Sequence, residues 1–340
     1  MPHRRRTLAL GALALGGGGA AAAQARLLRR IATDPADAAL RAFQPGRPLT
    51  VTSADGTELH AEVFGREDAP TIVLIHGWTE AIAYWALVID ELVRDFRVVA
   101  YDLRGHGRSG RATDADYSLE RFGQDVEAVL SAAVPEGRVR LVAGHSLGAM
   151  SIASWADQFD VTARAESAAL LNTGLGGLIA GAAVVPVPAF AKRLQDPLGR
   201  SLFLGSRSPI PPFTSPLHHL LISYLAFGPT ATPGMVEFYR RLITACPPDV
   251  RGAAGLAMAD MELDPALAKL TIPTLVMAGD RDRLTPVAQA ERIASELPQL
   301  AELIVLPNTG HMGPLERPAE VSAALRELAV AAGEPQAAPV

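Results

Sequence analysis

Six short runs, TIVLIHG, RVVAYD, VRLVAGH, SAALLN, IPTLVMAG and AELIVLP, are built almost wholly from Val, Ile, Leu and Ala. Between and after them lie longer stretches in which apolar residues return every three or four positions, near residues 82–93, 119–132, from 147, 286–297 and 319–331. A strand that is apolar on both faces needs helices on both sides of its sheet, and strands joined through helices run parallel. The alternation therefore predicts an α/β fold with a doubly wound, mostly parallel sheet. A hairpin opens it, LTVTSAD and ELHAEVFG, turned at Asp55-Gly56.

The rhythm breaks over residues 173–264. Prolines cluster in VVPVPAF and SPIPPFTSPLHHLL, and helical patterns follow one another without strands. This segment reads as a helical cap, or lid, inserted between two parts of one core, residues 48–172 and 265–332. The tail GEPQAAPV, residues 333–340, is expected to be disordered. Residues 1–30 have a basic start, then nineteen uncharged residues from Thr7 to Ala25, then Arg26, Arg29 and Arg30. They read as a retained membrane anchor acting through residues 7–25, or as an export signal with Arg5-Arg6 as a twin-arginine pair and a cut near Ala25. A cytoplasmic protein with an Ala-rich tail is the alternative.

The balance of 31 Lys+Arg against 36 Asp+Glu, with no long basic run, argues against nucleic acid as a partner. The single cysteine, Cys246, excludes an intrachain disulfide and any C-x-x-C site and reads as a small buried hydrophobe. No His, Asp and Glu set has metal-ligand spacing, so neither metal nor cofactor is expected.

In VRLVAGHSLGAMSIASWA, residues 139–156, a strand pattern becomes a helix pattern at a serine flanked by glycines. G-H-S-L-G fits a nucleophile elbow, a sharp turn that holds the Ser146 hydroxyl clear of the backbone. Gly144 and Gly148 are required because a Cβ at either would strike the neighbouring strand or helix. Alone, the motif equally suits a small-residue turn. Three other features fall where acyl-transfer chemistry needs them. LIHGW ends a preceding strand, so that Gly77 opens a loop able to aim the Trp78 N–H at the same point as the Leu147 N–H, two donors for a developing oxyanion. VMAGDRDRLTP places an acid after another strand, and NTGHMGPLERP places His311 after the last.

With Ser146, Asp282 and His311 in that order, each beyond a strand's C-terminal end, the chain from about 48 to 331 resembles the α/β-hydrolase superfamily with a cap insertion. It is most similar to the bacterial esterase, lactonase and cofactor-free haloperoxidase-like branch, and YDLRGHGRS at residues 101–109 extends the likeness. The resemblance implies Ser146 as nucleophile, His311 as its base and Asp282 as the group that orients the imidazole. Asp280 competes for the last role, and the superfamily's G-x-x-D pattern favours Asp282. His76 and His106 read as loop-orienting hydrogen bonders, and His145 as packing under the elbow. His218 and His219 read as a solvated lid face or, alternatively, as the substrate entrance. Leu202, Phe203, Phe213, Leu220, Leu221, Tyr224, Leu225 and Phe227 form either the lid's own core or an apolar roof suited to an apolar acyl or aromatic ester.

Serine at the elbow, where epoxide-opening and dehalogenating members carry aspartate, argues against those reactions. The implied activity is hydrolysis of a small-molecule carboxylic ester, lactone or thioester. The same triad could serve perhydrolysis, carbon–carbon bond hydrolysis or acyl transfer, and a silent binding protein on this fold is the remote alternative.

Overall fold

The structure, a computed structural model, describes residues 19–182 and 199–333. The expected tail beyond 333, the first eighteen residues of the expected anchor and part of the lid lie outside the described residues. Among the described residues eight strands occur: β1 (Arg47–Thr52), β2 (Glu58–Phe64), β3 (Thr71–Ile75), β4 (Arg97–Tyr101), β5 (Leu141–His145), β6 (Ala168–Leu171), β7 (Thr274–Gly279) and β8 (Leu300–Leu306). They form one sheet in the order β1-β2-β4-β3-β5-β6-β7-β8. β1 and β2 pair antiparallel, β2 meets β4 antiparallel, and every pairing from β4 across to β8 is parallel. The hairpin turns where expected, with Gly56 at φ +84°.

Period-two alternation divides the core into two layers. Val73, Ile75, Val99, Tyr101 and Val142 face α4 (Leu119–Ala133) and α5 (Leu147–Gln158). Ile72, Leu74, Val98, Ala100, Leu141 and Ala143 face α3 (Ala86–Leu92) and α10 (Pro318–Ala332). α4 is amphipathic by spacing, burying Leu119, Phe122, Val126, Val129, Leu130 and Ala133, and Ser118 caps it by accepting from the Arg121 N–H. Each large apolar side chain so buried, such as Phe122 or Trp155, contributes roughly 2–3 kcal/mol. The chain order reverses across β4-β3-β5, and the loops after β3, β5, β7 and β8 leave from one sheet edge, which is where open α/β sheets place their clefts.

Between β6 and β7 the described residues hold α6 (Pro216–Ala226), α7 (Pro233–Ala245) and α8 (Pro248–Ala259), and α9 (Val287–Glu296) follows β7. The lid's prolines have a local meaning: each of these three helices has proline in its first turn, where the missing N–H costs nothing, and Ser215 and Thr232 cap the first two. The N-terminal part packs against this layer. A helix over 19–32, α1, and the following α2 (Pro35–Ala42) reach the lid through Gln24 Nε2 donating to Thr214 O at 2.8 Å and the Gly234 N–H donating to Asp34 Oδ2 at 2.7 Å. Arg241 adds an ion pair to Asp37. Among the described residues no helix is long and apolar enough to cross a membrane.

Candidate active site

Ser146 stands between β5 and α5 at φ 51°, ψ −114°, a backbone conformation that L-residues adopt only under constraint. The constraint is steric. A Cβ on Gly144 would lie 2.4 Å from the Gly148 carbonyl carbon, and one on Gly148 would lie 2.3 Å from Ile75 O. Strand and helix backbones approach so closely that neither position admits a side chain. Gly148→Ala is therefore expected to cost about 2–3 kcal/mol, lowering Tm by about 5 °C or more; thermal unfolding at the wild-type midpoint would contradict the packing described. The Leu147 N–H opens α5, among the first-turn donors that no helix satisfies internally.

The loop after β3 lies against this turn. A Cβ on Gly77 would come within 3.1 Å of Ser146 Cβ, so glycine there lets the Trp78 backbone approach the serine. Trp78 Nε1 donates to Arg251 O at 2.9 Å and ties this loop to α8. The Gly77 N–H donates to Glu80 Oε2 at 2.5 Å. His76 is fully buried and spans two loops: its Nδ1 pairs with Gly77 O at 2.8 Å and its Nε2 accepts from the Leu103 N–H at 3.0 Å. Burial and the neighbouring His106 hold its pKa well below the ordinary value, consistent with a neutral ring that donates on one side and accepts on the other. His106, pairing with Arg104 O at 3.0 Å, is likewise pushed down by burial, to about 4.

His311 Nδ1 and Asp282 Oδ2 pair at 2.8 Å, both groups buried. Burial alone would lower the imidazole's pKa, but the Asp282 carboxylate, with Glu80 and Glu316 beyond it, raises it above the ordinary value. Burial likewise works to raise the Asp282 pKa, and the His311 ring with the Thr285 donors overrides it and leaves the carboxyl below its usual range. The Leu284 and Thr285 N–H groups, both at 2.9 Å, fix Oδ1, while Thr285 Oγ1 at 2.8 Å and Asn172 Nδ2 at 3.2 Å reach Oδ2. Asp280 points elsewhere, accepting from the Thr309 N–H at 3.1 Å. Ser146 and His311 line one cavity of about 740 Å³ beneath the lid.

His145 packs under the elbow, fully buried. Its Nε2 pairs with His311 O at 2.8 Å and its Nδ1 with Glu80 Oε2 at 3.2 Å. It therefore joins the elbow, the β3 loop and the β8 loop. Glu316 performs a similar service, accepting from the Gly310 N–H at 2.9 Å and the Gly228 N–H at 2.8 Å, and burial pushes its carboxyl up to about 7. Glu80, Asn172, Thr285 and Glu316 were not singled out as functional in the sequence. Two had a local signal: Glu80 is an acid in the otherwise uncharged LIHGWTEA, and Asn172 is a polar residue ending an apolar strand.

Two lid readings narrow. His218 does not sit on a solvated face: it lines the cavity, half-buried, with its Nδ1 enclosed and unpartnered among the described residues. Nor do the apolar lid residues act as one group. Phe203 and Leu221, although exposed, line the cavity with Leu225; Phe213, Leu220 and Tyr224 are exposed without lining it, and Phe227 is buried in the layer with α3. The Leu202 side chain lies outside those described. Cys246 is buried, as expected, which pushes its thiol up to about 12.

Comparison with known proteins places this geometry in context. Residues 70–318 match the family model described as alpha/beta hydrolase fold. A bifunctional esterase/perhydrolase of Acinetobacter calcoaceticus is 25% identical over 269 residues, covering 77% of this chain and 92% of that protein. A non-heme chloroperoxidase of Burkholderia pyrrocinia is 27% identical over 271 residues, with the same coverages of 77% and 92%. The solved structure of a membrane phospholipase A, described as a bacterial virulence factor, superposes with a TM-score of 0.66 at 25% identity, covering 98% of this chain and 100% of that one. With most of its length matched and its sheet mostly parallel, as expected, the chain belongs to the alpha/beta hydrolase fold family and is an enzyme of that family.

Proposed function

We propose that the chain is a serine hydrolase that cleaves a carboxylic ester, lactone or thioester through an acyl-enzyme on Ser146. The observation that carries this reading is that His311, paired with Asp282 at 2.8 Å, lines the same cavity as Ser146. His311 takes the Ser146 proton as Oγ bonds to the substrate carbonyl carbon, and the oxygen that becomes negative faces the Trp78 and Leu147 N–H groups. Asp282 holds the ring with Nδ1 protonated and stabilises it when charged. Collapse breaks the bond to the leaving group, which receives the proton from His311. A water molecule, deprotonated by the same ring, then attacks the acyl carbon and frees the serine.

The apolar wall, with Leu178, Leu221, Leu225, Ile243 and Met258, supports an apolar acyl chain, as does the likeness to a phospholipase. At about 0.8 kcal/mol per buried methylene, roughly fourfold each, kcat/KM for p-nitrophenyl octanoate is expected to exceed that for the acetate by well over tenfold. A profile that stays flat or falls as the chain lengthens contradicts that assignment.

A second reading is favoured by the relatives named as perhydrolase and chloroperoxidase. Hydrogen peroxide in place of water would attack the same acyl carbon, giving a peracid and free Ser146. Peracid formation from an ester and peroxide, absent in Ser146→Ala, tests it.

A further inference from the structure

Among the described residues three arginines are buried, Arg104, Arg240 and Arg251. Arg104 lies 2.9 Å from Asp55 and 2.6 Å from Asp125. Arg240 grips Glu237 through two hydrogen bonds, of 2.8 and 2.9 Å. Each of these cations has its anion, as an interior of low polarity requires. Arg251 has none. Its residue is 5% exposed, its Nη2 donates to the backbone carbonyls of Ser206, at 3.4 Å, and Ser208, and no described carboxylate lies within ion-pair distance. Carbonyl dipoles solvate a guanidinium without neutralising it. The uncompensated charge belongs to a residue of the wall of the 740 Å³ cavity that Ser146 and His311 share.

Nothing else described on that wall supplies the missing anion. The acidic residue there, Glu80, is engaged by the Gly77 N–H and His145. Arg240 is already neutralised. The Arg251 carbonyl, meanwhile, accepts from Trp78 Nε1, so the residue that carries the free charge is fixed to the loop that carries a proposed oxyanion donor. A buried guanidinium without a described counter-ion, on a cavity-lining residue whose backbone is fixed to the Trp78 side chain, has the properties of a substrate anchor.

We propose that Arg251 binds a carboxylate on the substrate, so that the molecule cleaved is an ester with an apolar body and a second, acidic end. A carboxylate matches the single charge of Arg251, whereas a phosphate monoester would bring nearly two charges and leave one uncompensated in the cavity. That the substrate is an ester rests on the hydrolase reading. The anion site rests on Arg251 and the cavity alone.

The test is calorimetric and needs no turnover. Dissociation constants of the full-length protein are measured for straight-chain monocarboxylates and α,ω-dicarboxylates of matched length, six to ten carbons. Apolar burial alone makes the monocarboxylate the better ligand at every length. With Arg251 as anchor, one carboxylate meets the oxyanion donors and the other the guanidinium, and at one or more lengths the dicarboxylate binds at least about tenfold tighter. In Arg251→Gln that preference falls to within about threefold, and Arg251→Lys retains part of it. Monocarboxylates that bind as well or better at all lengths, or a preference that survives in Arg251→Gln, overturn the proposal; if the Gln variant does not fold, the wild-type comparison decides. A protein that hydrolyses p-nitrophenyl esters but shows no dicarboxylate preference loses the anion site and keeps the hydrolase reading. One that shows the preference without esterase activity does the reverse.

Discussion

Replacing Ser146 with alanine is expected to lower kcat by at least about 10³-fold while leaving the fold in place. The loss follows from chemistry: without the hydroxyl no acyl-enzyme forms, and what remains is water attack assisted by the oxyanion donors and by binding. The fold should survive because what holds the turn is backbone. The Ser146 N–H donates to Leu171 O at 2.9 Å, and Ser146 O accepts from the Ala149 and Met150 N–H groups and from Thr173 Oγ1. None of these bonds uses the hydroxyl. The φ of 51° strains alanine about as much as serine. Steady-state kinetics on a p-nitrophenyl ester, beside a thermal melt, checks both halves. Unchanged turnover would remove Ser146 from the mechanism.

Asp282→Asn is expected to cost about 10³- to 10⁴-fold in kcat, and it carries a pH signature that mere loss of structure would not. In the wild type Asp282 raises the His311 pKa, and His311 must be neutral to act as base. The acid limb of kcat/KM therefore lies above the ordinary histidine value of about 6.5. In the variant the counter-charge is gone while the burial that lowers the pKa remains, so the limb moves to lower pH even as the rate falls. The amide must also replace a carboxylate that accepts from Leu284, Thr285 and Asn172, so that either the His311 tautomer or one of those donors is mispaired. A rate–pH profile with an unmoved limb would show that the 2.8 Å pair does not govern the imidazole.

Why Ser146, Asp282 and His311 were legible in the sequence, and their supports were not, has a physical explanation. Each of the three follows a strand whose all-apolar run is visible by itself, and a parallel sheet brings the C-terminal ends of its strands to one edge whatever the lid does. Gly144 and Gly148 were legible for the same reason, since the strand-to-helix turn is local. The supports depend on contacts between distant segments. His145 reaches His311 O across 166 positions, and Asn172 reaches Asp282 across 110. No periodicity encodes such a meeting.

The lid was the least legible part. Its helices could be expected from proline-marked breaks, but on α6 Leu221 and Leu225 line the cavity while Leu217 and Leu220 do not, and the low amphipathic contrast of PLHHLLISYLA hides that division. The same obscurity covered His218. Arg251 shows the limit most clearly. Nothing in PDVRGAAG distinguishes a buried cation without a described counter-ion from an exposed one, and the difference appears only once the described carboxylates are placed.

An activated serine at the elbow is tested by labelling the full-length protein with a fluorophosphonate probe, followed by peptide mass analysis. The hydrolase reading predicts one adduct, on Ser146, that disappears in His311→Ala although that variant still folds. A folded wild type that takes no label, or takes it on another residue, would contradict it.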